Sequence, residues 1–244
     1  MTTVLPASAR LAWWGTAWLR GHVVTDLVVD AVLGDDATHA VAGLPGADGT
    51  DTLVVALGRL RRAGASALGA AFPVEGDPVG LGGPGAFNAD ALEAGEAVVA
   101  ADAGVGLVPH RTGAAVIWTA HAAARRQLPD VGEADRMLRA ALVESANALA
   151  ALEVARWRPE VADELLNLRH RDPVGAPAGV PPRCVELAAR GLQAIGIVDL
   201  ALEDDGGAVS VAEAAAREDA LRPLARAGRR ALVAACSPEV WPPS

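Results

Sequence analysis

The 244 residues are 52% apolar and 21% charged with a net charge of −9, which excludes disorder and gives enough chain to bury about 70–75% of its unfolded surface without staples. All 21 Lys+Arg positions are arginine, and lysine and tyrosine are absent. A Schiff-base lysine, a phosphate-loop lysine and a Tyr–Lys hydride-transfer pair are therefore excluded. Neither half is basic, which argues against nucleic-acid binding and against a polybasic membrane patch.

No run reaches the roughly 18 apolar residues of a membrane span. The apolar stretch Leu11–Leu19 follows one arginine, lacks a small-residue cleavage site and is closed by Arg20, so it does not read as a signal peptide. The expected location is the cytoplasm, with no membrane association. Cys184 and Cys236, the two cysteines, fall in predicted helices and read as buried thiols.

In chain order, residues 8–33 predict helix, in one or two pieces. Leu11, Trp14 and Trp18 share one face, and Gly34 is placed to end the second piece. An extended segment at 39–44, a helix at 52–62 and a strand at 66–72 read as one crossover unit. Residues 75–88 hold Gly76, Pro78, Gly80, Gly82, Gly83, Pro84 and Gly85, a density that predicts a surface loop. A short strand at 97–101 precedes a hairpin over 104–110 and 114–121, turning at Thr112-Gly113. Beyond Arg126 the pattern is helical: 130–158, a second helix from Pro159 to about 170, a Pro/Gly-rich loop at 172–182, and 184–202. A last stretch is capped by Ser210 with Glu213 and kinked or broken at Pro223, before a Pro-rich tail. The predicted class is α+β: a small, largely antiparallel sheet with flanking helices, then an all-helical C-terminal half packed on it. Residues 1–128 and 129–244 are expected to share one continuous core.

The string Gly80-Leu-Gly-Gly-Pro-Gly85 matches G-x-G-x-x-G, but no strand runs directly into it and no long helix is predicted to leave it. A plain loop is favoured over a dinucleotide site, and no cofactor is expected. On a hairpin centred at Thr112-Gly113, His110 and His121 share a face about 20 Å apart, too far to share an ion. His22, Asp26 and Asp30 spread over about 12 Å of one helix. No metal site is expected. Among the arginines, Arg111 stands alone, with no acid near it in sequence. The candidate ligand site is therefore the meeting of the 76–88 loop with the hairpin, using Gly82, Gly83, His110 and Arg111 for an anion. Trp13 points about 100° away from Trp14 and Trp241 sits in the tail, so both are candidate interface anchors.

Ala12-Trp-Trp-Gly-Thr-Ala-Trp-Leu19, Gly76-Asp-Pro78, Ala86-Phe-Asn-Ala-Asp-Ala-Leu-Glu-Ala-Gly-Glu-Ala-Val98 and Val154-Ala-Arg-Trp-Arg-Pro-Glu160 occur in an order that resembles an uncharacterised family of alanine-rich proteins from high-GC bacteria. That resemblance implies no activity and transfers no catalytic residue. The expected function is protein–protein interaction or self-association, as a homodimer or with another protein. The alternative is a small anionic-ligand binder, or an enzyme of unrecognised type, built on the 76–88 loop and the 104–121 hairpin.

Overall fold

The computed structural model describes residues 5–151, 174–202 and 211–242. In these, helices α1 (Ala7–Leu19) and α2 (Thr25–Leu33) lead into strands β1 (Thr38–Ala42) and β2 (Thr50–Thr52), helix α3 (Leu53–Arg62) and strand β3 (Gly69–Ala71). Helix α4 (Gly85–Ala94), strands β4 (Ala97–Ala100), β5 (Val105–Thr112) and β6 (Ala115–Ala122), and helices α5 (Val131–Ala151), α6 (Pro182–Leu202) and α7 (Val211–Ala235) follow. Local signals account for several boundaries. Gly34 ends α2 at φ +55°, Thr52 caps α3 by accepting the Val55 N–H, and the Asp130 Oδ1 accepts the Gly132 and Glu133 N–H groups at the start of α5.

The sheet order is β2-β1-β6-β5-β4-β3, antiparallel except between β1 and β6. The fold is α+β with a helical C-terminal half. The expected crossover unit is not formed: three strands separate β3 from β1, to which it runs antiparallel, and the parallel neighbour of β1 is β6. The hairpin turns on Gly113 and Ala114, with Thr112 paired to Ala115. Residues 85–88, expected in the loop, form the first turn of α4. Pro223 lies inside α7, which continues through it. The helix expected from Pro159 and the Ser210 cap lie outside the described residues.

Alternation in the strands sorts the sheet into two faces. Val98, Ala100, Val105, Leu107, Val116 and Trp118 meet α1, α2 and α3, whereas Ala97, Val99 and Val108 meet Phe87 and Ala91 of α4. A third apolar cluster joins the halves. It combines Ala9, Ala12 and Trp13 of α1 and Ala70 of β3 with Leu138, Leu187 and Leu232 of the long helices. Helices α6 and α7 cross where Gly191 and Gly228 face each other, and a Cβ on either would lie 2.9–3.0 Å from the other's carbonyl oxygen.

Because α1 is packed between the sheet and the long helices, it is buried nearly all round. This corrects the expected facing of its tryptophans. Trp13 is wholly buried and Trp14 only partly so, so Trp13 is not an interface anchor. Its Nε1–H donates to the Ala235 carbonyl at 3.1 Å, and Trp241 donates to the same oxygen at 2.9 Å from the half-buried tail. A large buried side chain truncated to alanine loses its transfer energy and leaves a cavity. Trp13→Ala is expected to cost about 3–5 kcal/mol in urea unfolding, with one shared transition for near-UV and far-UV signals if both halves unfold together.

Candidate functional site

Two regions gather polar chemistry, and the first is the tip of the hairpin. Strand β5 runs past the start of β4, whose pairing reaches Val98 opposite Leu107. The overhang opens a 380 Å³ cavity lined by Pro109, His110 and Arg111, by Glu93, Ala94 and Glu96 around the end of α4, and by Ala7 of α1. His110 and Arg111 thus share one cavity although they point to opposite faces of the sheet. Gly82 and Gly83 lie at the other end of the hairpin: the Gly83 carbonyl accepts the Ala124 N–H, about 20 Å from Arg111 along β5.

Arg111 is not unpaired. Its guanidinium meets both carboxylate oxygens of Asp36, at 2.5 and 3.5 Å, an acid 75 positions away. Asp36 also accepts from His39 Nε2 at 3.0 Å and from Arg10 at 3.3 Å. The Trp118 Nε1–H donates to His39 Nδ1 at 3.2 Å, which assigns the neutral tautomer with its proton on Nε2. Arg10 additionally donates to the Val32 and Leu33 carbonyls at the end of α2, as a cation at a helix C-terminus does. Burial pushes the His39 imidazole down more strongly than Asp36 pulls it up. Burial pushes the Asp36 carboxyl up, but the hydrogen bonds from His39 and Arg111 outweigh it and hold the group below the usual range.

On the α4 face, Asp90 receives both His110, at 3.2 Å, and His121, at 2.6 Å. The true register sets His110 opposite Ile117 and His121 opposite Gly106, which places them four rather than six residues apart along the hairpin. One carboxylate on α4 can therefore reach both. No group of three His, Cys, Asp or Glu among the described residues has a geometry that could hold a metal ion.

The second region is a cleft between the 77–81 segment, residues 127–129, α5 and α7. The Gly-rich loop does border a cavity here, of 350 Å³, lined by Asp77, Pro78, Val79, Gly80 and Leu81 with Gln127, Glu133, Met137 and Arg230 among the facing residues. Its glycines serve packing. A Cβ at Gly80 would lie 2.8 Å from the Ala71 Cβ, and one at Gly82 would lie 2.5 Å from the Arg125 carbonyl oxygen. The cation is supplied by α7, not by the hairpin. Asp77, with a side chain 7% exposed, takes Arg230 at 2.8 Å and Arg226 at 3.5 Å. Two guanidiniums share one carboxylate, and both Asp77 Oδ2 and Arg230 Nε are buried without a hydrogen bond. Buried polar atoms of this kind are costly unless a further group satisfies them. Arg229 stands beside this pair, its own Nε likewise unmet. Burial pushes Arg229 down while Asp77 and Asp199 hold it up, and burial pushes the Asp199 carboxyl up. Arg222, Arg226 and Arg230 recur every fourth residue, a row visible in the sequence; Asp77, 153 positions from Arg230, has no local signal.

The His39 cluster predicts an acid-sensitive stability. In the unfolded chain His39 titrates near the ordinary imidazole value of 6.5, and in the folded protein it titrates lower. Between the two values the unfolded state binds the extra proton, so stability falls as pH drops through that window. Asp36 adds in the same direction at lower pH, since its folded pKa is also depressed. Protonated His39 would set an N–H against the Trp118 N–H. Chemical-denaturation curves between about pH 7 and pH 5 should show this loss, and His39→Phe should flatten it there while lowering stability at neutral pH.

The Rv1486c-like protein N-terminal domain matches residues 8–134, and the Rv1486c-like protein C-terminal domain matches residues 132–233. The uncharacterised protein Rv1486c of Mycobacterium tuberculosis is 32% identical, over 96% of this chain and 98% of its own length. The uncharacterised protein ML1804 of Mycobacterium leprae is 29% identical over the same shares, and MAV321 of Mycobacterium avium is 31% identical over 64% and 65%. No solved structure matches the chain. The chain belongs to the Rv1486c-like family, whose matched members are uncharacterised.

Proposed function

We propose that the protein binds a small anionic ligand in the cleft between the 77–81 segment, α5 and α7, with Arg230 and Arg226 as its anchors. The observation that carries this reading is the stoichiometry at Asp77: two arginines on one buried carboxylate, with the Arg230 side chain, 27% exposed, lining the cavity. An oxyanion would take up guanidinium donors that Asp77 leaves over. Asp77 holds the two side chains in place meanwhile. Glu133 lines the facing wall and tempers the positive field, so it sets an upper limit on affinity for simple anions.

The hairpin-tip cavity with His110 and Arg111 is the weaker seat, because Asp36 already holds the Arg111 guanidinium at both oxygens. Gly82 and Gly83 contribute by holding the loop against residues 124–126. A cytoplasmic, soluble setting is part of this reading. It is supported by two free buried thiols, Cys184 and Cys236, which suit a reducing compartment, and by the absence among the described residues of a helix long and apolar enough to cross a membrane.

The test is thermal unfolding in phosphate against chloride at matched ionic strength. Phosphate should raise Tm in a concentration-dependent way, Arg230→Gln should remove the increment, and Glu133→Gln should enlarge it. An equal rise in chloride, or an increment unchanged in Arg230→Gln, overturns the reading.

Association with a partner or a second copy is the second reading. Its support lies on α5, where Met137, Leu142 and Val143 are 43%, 38% and 62% exposed; half-buried Trp241 donates inward and Arg20 covers its ring at 5.8 Å. Light scattering at high micromolar concentration should then report a dimer that Val143→Glu dissociates. A strict monomer removes the self-association form of this reading.

A further inference from the structure

We infer that the anion in this cleft is the head of an amphipathic acid, a carboxylate carrying an unbranched apolar chain. This rests on the anion-site reading above and adds the ligand class. Beside the 350 Å³ cavity lies a larger one of 590 Å³ between α5 and α7, lined by Met137, Ala140, Ala141, Pro223 and Ala227, with Glu144, Asp219, Arg222 and Arg226 at its polar positions. The two adjoin. Met137 lines both, and Asp77 of the first cavity is gripped by Arg226 of the second as well as by Arg230 of the first. The guanidiniums therefore stand where a polar space meets an apolar one.

The walls explain why the space stays open. Three of the five apolar lining residues are alanines, which leave room between helices that longer side chains would close. Pro223 has no N–H, so the Asp219 carbonyl, on the same wall, is denied its helical donor. The volume lies within the usual range for small-molecule sites, about 300–1,000 Å³. An inorganic anion would leave the apolar part unused, whereas a carboxylate with a chain fills it and still reaches Arg226 and Arg230.

The experiment is calorimetric titration of the full chain with acetate, butyrate, hexanoate, octanoate and decanoate, below micelle formation and at constant ionic strength. Burying one methylene is worth about a three- to fourfold gain in affinity, so affinity should climb steadily from butyrate to decanoate. Ala140 is exposed at the cavity wall, so Ala140→Phe should fold and should abolish the climb while leaving the phosphate-induced rise in Tm. Arg230→Gln should weaken every member of the series, and decanol should bind more weakly than decanoate. Binding of phosphate and acetate with no dependence on chain length overturns the amphipathic class and leaves the anion site standing. A climb unchanged in Ala140→Phe also overturns it, because the chain then sits elsewhere. Failure of phosphate and of the whole series removes both readings together.

Discussion

The guanidinium of Arg126 holds together the parts that make the cleft. Its side chain is 1% exposed. One nitrogen donates to the Ala70 carbonyl of β3 and to the Gly80 carbonyl of the loop, another to Ser237 Oγ and to Glu239, and Nε donates to Glu239 as well. Sheet edge, Gly-rich segment and C-terminal tail thus converge on one planar fork, a role that five fixed donors suit and a lysine ammonium does not. Burial pushes the group down and Glu239 pulls it back up, and an arginine stays charged in either case. Gly69 is glycine for the same reason: a Cβ there would lie 1.6 Å from an Arg126 nitrogen.

From this node the geometry of the cleft follows. With Gly80 tied to Arg126 and its backbone pressed on Ala71, the preceding turn presents Asp77 towards α7. The crossing at Gly191 and Gly228, too tight to admit a Cβ on either, sets α7 close against α6, so its arginine row faces away from that crossing and into the space beside α5. The result is an electrostatic asymmetry: Arg139 and Arg222 are each matched by an acid one turn away, whereas Arg226 and Arg230 depend on one carboxylate from another layer. Paired surface charges contribute little to stability, whereas a buried carboxylate shared between two arginines is costly to leave unpaired.

Helix α1 has the corresponding part in the core. It carries the sheet on one side and the long helices on the other, and Thr16 and Trp13 satisfy backbone groups in each: Thr16 Oγ1 bonds both the N–H and the carbonyl of Leu68, and Trp13 donates to Ala235. The apolar cluster that links α1 to Leu138, Leu187 and Leu232 crosses the junction at residues 132–134 where the two family domains meet.

The signals legible along the chain are local. The alternation in β4, β5 and β6, the period of α5 and α6, and the punctuation at Gly34, Thr52 and Asp130 depend on neighbours a few residues away, and they yield the α+β class. The partners that the fold alone sets are long-range. The alternation of a strand does not say which strand lies beside it, so β1 and β3 read as a crossover pair though β6, β5 and β4 lie between them. An amphipathic reading of α1 presumes one wet face, and α1 has none, which is why Trp13 is core and not surface. Arg111 lacks an acid nearby in sequence yet meets Asp36 across 75 positions, and Asp77 meets Arg230 across 153. Charges pair through space, where the chain's turns bring them within a few ångströms, and nothing in the spacing of residues along the chain encodes that distance.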